Sequence, residues 1–174
     1  MSIRNVVTVF NRNSYVLKSK AKPLERKIFS NCKEVNDLLT TAKALSCLGL
    51  AAPQIGQSMR MFAVKDAYTG VVNIVINPLI VKQSNETIIG EESCLSIPGY
   101  SFLVNRSKYI IVNYTDYFGN KCFNHTLSGM DARVFLHEYD HLDGILAPNR
   151  GPVLHVPYFG NFWNDDDDEF WDHE

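Results

Sequence analysis

Residues 137–141 read His137-Glu138-Tyr139-Asp140-His141, the pattern H-E-x-x-H. On an α-helix, four residues turn the side-chain direction by about 400° and advance the axis by about 6 Å. His137 and His141 therefore leave one helix face, about 40° apart, and two imidazoles so placed can reach a single cation. Glu138 lies off the line joining the two histidines, where it can touch a water on a metal without being a ligand. A single histidine on a helix is ordinarily a packed or surface residue; two at i and i+4, with glutamate after the first, are not an ordinary pairing. The helix that carries them is expected from about Gly129 to Leu142, and Ser128 followed by Asp131 resembles a capping box with aspartate in place of glutamate.

Upstream of this helix the chain alternates short runs of Val, Ile, Tyr and Phe with turn residues. Strands are expected at 60–65, 71–76, 79–82, 86–89, 102–105, 109–114 and 121–124. Gly70, Asn77-Pro78, Pro98-Gly99 and Gly119-Asn120 punctuate them. Before the strands, residues 32–45 place Val35, Leu38, Leu39, Ala42 and Leu45 at helical spacing, with Ser30 or Asn31 as cap. Between that helix and the first strand, Gly49 to Gly56 read as a turn-rich segment. The fold class is α+β: short antiparallel strands packed around a C-terminal helix bearing the H-E-x-x-H pattern, with an N-terminal helix. A catalytic domain is expected over 1–147. Residues 148–174 read as an irregular acidic tail, ending in the acid run Asp165–Glu169 as a solvated terminus.

The chain has 174 residues, enough for one domain with a core. Its 17 basic and 19 acidic residues leave a net charge of −2, so no basic field exists to attract nucleic acid. The first residues lack the apolar run of a secretory signal, and no apolar stretch is long enough to span a bilayer. The expected location is the cytoplasm of a bacterium or phage-infected cell, or an organelle, without secretion. In that setting Cys32, Cys47, Cys94 and Cys122 read as free thiols or metal ligands rather than disulfides.

A catalytic site of the zinc type needs three protein ligands and an open position. The extended pattern H-E-x-x-H-x-x-G-x-x-H holds here as far as Gly144, but Ala147 stands where the third histidine belongs. Asp143, two residues past His141, reads as a supporting or capping group. The better third ligand is upstream: Glu91-Glu92-Ser93-Cys94-Leu95-Ser96 places a thiol in a short turn between strands. Thiolate is a strong ligand for Zn²⁺ and Fe²⁺.

Three motifs in register resemble the peptide deformylases: Gly49-Leu-Ala-Ala-Pro-Gln54-Ile-Gly56, Glu92-Ser-Cys94-Leu95-Ser96, and His137-Glu138-Tyr-Asp-His141 followed by Leu142 and Gly144. The resemblance runs from about residue 23 to 146. It implies Cys94, His137 and His141 as ligands of one divalent metal ion, Fe²⁺ in the cell, with Zn²⁺ or Ni²⁺ in a purified sample. It implies Glu138 as acid/base, with Gln54 and the Leu95 N–H as donors to the reacting carbonyl oxygen. Gly49, Glu92 and Val134 are expected around the substrate. The implied reaction removes the formyl group from N-formyl-methionyl polypeptides and releases formate. The cation lowers the pKa of a water, and the resulting hydroxide attacks the formyl carbon. The ribosome surface is a further expected partner. A related metal-dependent peptidase or amidase, or a weakly active relative kept for binding, is the alternative. Four positions depart from the family pattern: Cys47, Ser93 and Leu136 replace Gly, Gly and Gln, and Arg133 stands where an apolar residue is usual. Arg133 is expected to pair with Glu92 or to alter peptide preference.

Overall fold

Alternation of buried and exposed side chains organises the middle of the chain into two antiparallel sheets, as seen in a computed structural model that describes residues 2–25, 30–66 and 69–155. The elements are α1 (Lys33–Leu45), β1 (Gly49–Ala51), β2 (Met61–Lys65), β3 (Val72–Gln83), β4 (Thr87–Cys94), β5 (Ile97–Ser107), β6 (Tyr109–Thr115), β7 (Lys121–Ser128), α2 (Gly129–Leu142) and β8 (Val153–His155). One sheet has the order β1-β2-β3-β6-β7 and the other β4-β5-β8. The α+β class expected from the sequence is the fold observed. Among the described residues, no helix is long and apolar enough to cross a membrane.

Both helices lie where their apolar faces require. On α1, Val35, Leu38 and Ala42 pack with Leu50, Met61, Ile74 and Ile76, whereas Leu45, also in phase, is exposed at the helix end. On α2, Ala132, Phe135, Leu136 and Leu142 pack with Phe62, Val75, Ile110 and Val112. Phe62 and Phe135 meet edge to face, with centroids 4.9 Å apart. A third cluster joins Ile97, Phe102 and Val104 of β5 to Val7, Val9, Val16 and Leu17, so the N-terminal segment is part of the core.

Several local expectations are corrected. The runs at 71–76 and 79–82 are one strand, β3, which passes through Asn77-Pro78 by a bulge. Proline has no N–H to give a ladder, and the bulge removes the need for one. Asn77 takes φ 49° there and its side chain exchanges two hydrogen bonds with the Leu24 backbone. Pro98-Gly99 lies inside β5 rather than between strands. Gly49 to Gly56 form β1 followed by a 3-10 turn at Ala52–Ile55. The cap position of α1 falls on Cys32 rather than Ser30 or Asn31, and its side chain makes no capping bond. Ser128 occupies the cap position of α2, but its side chain makes no capping bond. The expected irregular tail does not begin at 148. Ala147–Asn149 form a 3-10 turn and β8 pairs with β5. The acid run 165–169 and its neighbouring aromatics lie outside the described residues.

Asp37 on α1 fastens the N-terminus to the domain. Its carboxylate accepts from the Ser2 N–H at 2.8 Å and from Lys33 Nζ at 2.7 Å. The Lys33 ammonium, against the opposing effect of burial, holds its pKa at about 2 rather than 3.8. A depressed carboxylate pKa stabilises the fold above the unfolded value and ceases to do so as pH falls through the folded one. Asp37→Asn should therefore lower Tm at pH 7, and the gap from wild type should close between about pH 4 and pH 2 in a pH series of thermal melts.

Candidate metal centre

Strand β4 ends at Cys94, and a two-residue turn, Leu95-Ser96, leads straight into β5. Cys94 pairs with Ile97 while Ser93 pairs with Ser101, so Pro98, Gly99 and Tyr100 bulge out of the ladder. Gly99 takes φ 87° to allow it. Ser93 is not among the residues at positive φ, so serine there carries no left-handed strain. The turn directs the buried Cys94 thiol at α2, where His141 Nε2 is 3.2 Å from Sγ. Cys94, His137 and His141 each present one donor atom, all within 4.8 Å of one another.

Supporting groups set the ring orientations. His137 Nδ1 meets Glu92 Oε2 at 2.9 Å, which leaves Nε2 for the centre. His141 directs Nε2 at the thiol, and its Nδ1 is buried with no hydrogen-bond partner. Burial opposes charge on the Cys94 thiol, but the adjacent His141 and His137 outweigh it and hold its pKa well below the usual thiol range. A sulfur inclined to be thiolate and two imidazole nitrogens, beside an open cavity, fit a divalent cation with a free position.

Glu138 is buried, and Gly49 is why it fits: a Cβ at position 49 would overlap the Glu138 carboxyl. Its Oε2 is buried with no hydrogen-bond partner. Burial pushes its pKa up to about 7 despite the attraction of His137 and His141. Gln54 is oriented by the backbone three residues before it. Its Oε1 accepts from the Ala51 N–H at 2.8 Å, so the amide NH₂ points the other way, 3.4 Å from Cys94 Sγ and 3.3 Å from Ser96 Oγ. The N-terminal segment braces both neighbours: the Val7 N–H donates to the Gln54 carbonyl at 2.7 Å and the Val9 N–H to the Ser96 carbonyl at 2.9 Å.

These groups border a cavity of about 630 Å³. Leu48, Leu95, Tyr100, Met130 and Val134 give it apolar walls, and Gly49 lies at its edge. Cys47 also lines the wall, but it is not in the donor cluster. Burial, then the nearby Glu138, raises its thiol pKa. Leu136 packs into the core under α2, where a polar side chain would have been buried without need.

Glu92 lines this cavity, and its carboxylate is saturated from the protein side. Oε1 accepts from Arg106 Nε at 2.9 Å and Arg133 Nη1 at 2.8 Å; Oε2 accepts from Arg106 Nη2 at 2.9 Å and faces His137. Arg106 continues to Asp140 at 2.6 Å, and Asp140 holds Arg150 at 2.5 Å. The Glu92 pKa is lowered to about 2, because these partners outweigh the burial that would raise it. Asp143, at the end of α2, pairs with Arg60 at 2.7 Å. Sequence reading missed Arg106 and the roles of Asp140, Tyr100 and Met130. Arg106 had a signal: Phe102, Val104 and Arg106 share one face of β5, and an arginine on the inward phase of a strand demands buried acids.

A Cys-His-His donor set beside a buried carboxyl, on an antiparallel scaffold, defines a metal-site hydrolase of small-domain type. The comparisons with known proteins narrow that class. Residues 3–153 match the family model described as polypeptide deformylase. The peptide deformylase of Pseudothermotoga lettingae is 41% identical over 131 residues, 75% of this chain and 74% of its own. The crystal structure of peptide deformylase from Thermotoga maritima superposes with a TM-score of 0.78 at 34% identity, covering 87% of this chain and 99% of that one. A Met-Ala-Ser-bound class I type b peptide deformylase from Acinetobacter baumannii gives 0.75 at 28% identity, covering 86% and 98%. The chain belongs to the polypeptide deformylase family, a family of enzymes.

The ion network makes its own prediction. Arg106→Met removes the cation shared by Glu92 and Asp140, leaving buried acids short of partners. Unfolding in urea should show a loss of roughly 3–5 kcal/mol, and an unchanged midpoint would contradict the network's structural weight.

Proposed function

We propose that this protein removes the formyl group from N-formyl-methionyl polypeptides, with Cys94, His137 and His141 holding one divalent metal ion. The observation that carries the reading is the donor set within 4.8 Å beside the buried carboxyl of Glu138, in a chain of this family. The mixed thiolate and imidazole set suits Fe²⁺ in the cell and accepts Zn²⁺ or Ni²⁺ in a purified sample. When bound, the metal would supply Lewis acidity at the reacting water and carbonyl.

The residues divide the remaining work. Glu138, with one carboxyl oxygen unpartnered, accepts a proton from the attacking water and delivers it to the amide nitrogen as the C–N bond breaks, a contribution of roughly 10²–10⁴-fold. The Gln54 NH₂, fixed by the Ala51 N–H, donates to the carbonyl oxygen as it gains charge. One such donor is worth roughly 3 kcal/mol. The Leu95 N–H, in the turn after Cys94, is the second donor. The products are formate and a free α-amine. The methionyl side chain would occupy the apolar cavity between Tyr100, Met130 and Val134. The bound Met-Ala-Ser of the Acinetobacter baumannii relative is consistent with a peptide beginning in methionine. Such a substrate is a new polypeptide, and it supports a working position beside the ribosome, in a bacterial or phage-infected cytoplasm or an organelle.

The test is anaerobic loading with Fe²⁺ or Ni²⁺ and measurement of formate from a formyl-Met tripeptide. Turnover is expected; none at any loading overturns the reading. Cys94→Ala should lose stoichiometric metal, measured by elemental analysis, and retention would remove Cys94 from the ligand set. Gly49→Ala should keep the metal but lower kcat by 10²-fold or more, since its Cβ displaces the Glu138 carboxyl.

A further inference from the structure

Arg133 sits one helical turn before His137, at the join between α2 and the β4–β5 hairpin that carries Cys94. Its buried guanidinium has a built seat. Nη2 donates to the Ile88 carbonyl at 2.7 Å, and Nη1 reaches the Val104 carbonyl at 3.0 Å, the Gly90 carbonyl at 3.3 Å and Glu92 Oε1 at 2.8 Å. Two of the three carbonyls belong to β4 and one to β5. The seat exists because residue 90 has no side chain: a Cβ there would lie 2.9 Å from Arg133 Cζ and Nη2. Three backbone carbonyls and the Glu92 carboxylate hold the guanidinium in this seat at the edge of the cavity.

Glu92 explains why this matters at the donor cluster. A carboxylate offers about four lone-pair sites. Arg106 takes one on each oxygen, His137 takes the second on Oε2, and Arg133 takes the second on Oε1. Without Arg133 the carboxylate can turn about the Arg106 fork, and Oε2 is no longer fixed opposite His137 Nδ1. Glu92 lies two residues before Cys94 on β4, so through this one carboxylate the guanidinium bears on both sides of the donor cluster.

We propose that Arg133 is a positioning residue for the Cys94–His137–His141 cluster, acting through Glu92 and seated by Gly90. The proposal rests on the metal reading above. It assigns to a position where the family usually has an apolar side chain a task in holding the site together rather than in contacting peptide.

Co²⁺ is the probe, because its visible bands and its near-ultraviolet thiolate band report the geometry of the ligands without turnover. The metal-free protein, Arg133→Met, Gly90→Ala, Glu92→Gln and the Arg133→Met/Glu92→Gln pair would each be titrated with Co²⁺. Arg133→Met and Gly90→Ala should bind Co²⁺ about 10–100-fold more weakly, the range for losing a group that orients a ligand, with altered visible bands. The double variant should bind no more weakly than Glu92→Gln alone. Gly90→Ala keeps the arginine and its charge, so it carries the test even if Arg133→Met does not fold. Wild-type affinity and bands in Gly90→Ala, whatever its Tm, overturn the proposal, and so do additive losses in the double variant. If the wild type itself shows no thiolate–Co²⁺ band, the metal reading falls and this proposal falls with it. A wild-type band with unchanged variants removes only the role of Arg133.

Discussion

The carboxylate of Glu92 is the point on which the site depends. It is buried among three cationic or potentially cationic groups from two different parts of the fold: Arg106 from β5, and Arg133 and His137 from α2. An ion in that position is expensive to desolvate, and only full engagement of its oxygens makes burial tolerable. That requirement fixes the distance between hairpin and helix. Because Cys94 lies on the hairpin and both histidines on the helix, the spacing of the donor atoms follows from the saturation of one acid.

The same logic extends outward. Asp140 lies inside the H-E-x-x-H segment yet points away from the cluster, joining Arg106 to Arg150. It couples α2 to the turn after it and, through that turn, to β8. The apolar cluster under α2 buries its inner face, and the buried ions constrain its rotation. A one-residue rotation of α2 would carry His137 and His141 away from Cys94 and Asp140 away from Arg106 together. Glu138 is confined by a simpler device, the missing side chain at Gly49.

Much of this was legible in the chain. The i, i+4 histidines needed only helical periodicity, and the bounds of α2 at Gly129 and Leu142 followed from its pattern. Cys94 was found by asking where a third ligand could be once Ala147 failed to supply one. Long strands were harder. Asn77-Pro78 and Pro98-Gly99 carry turn chemistry, but bulges absorb both within continuous strands, and a bulge depends on a partner strand that local sequence does not reveal. Glu92 was noticed for its motif, and its pairing with Arg133 was expected and is observed. Its partners at 106 and 137 went unnoticed, because they are distant in sequence and charge alone does not tell a buried carboxylate from an exposed one. Residues 7–9 carried no motif, because their task is performed by backbone N–H groups that every residue but proline possesses.

That N-terminal brace has a kinetic consequence. Val7 and Val9 are tied to carbonyls at 54 and 96, and Cys94 meets a histidine at 141. Contacts of such sequence separation must close long loops before they gain anything, so they form late. During synthesis Val7 and Val9 wait for partners roughly fifty to ninety positions behind them. The donor cluster cannot assemble until α2 has cleared the exit channel. A protein proposed to act on the newly made ends of other chains therefore completes its own site only after α2 has been made.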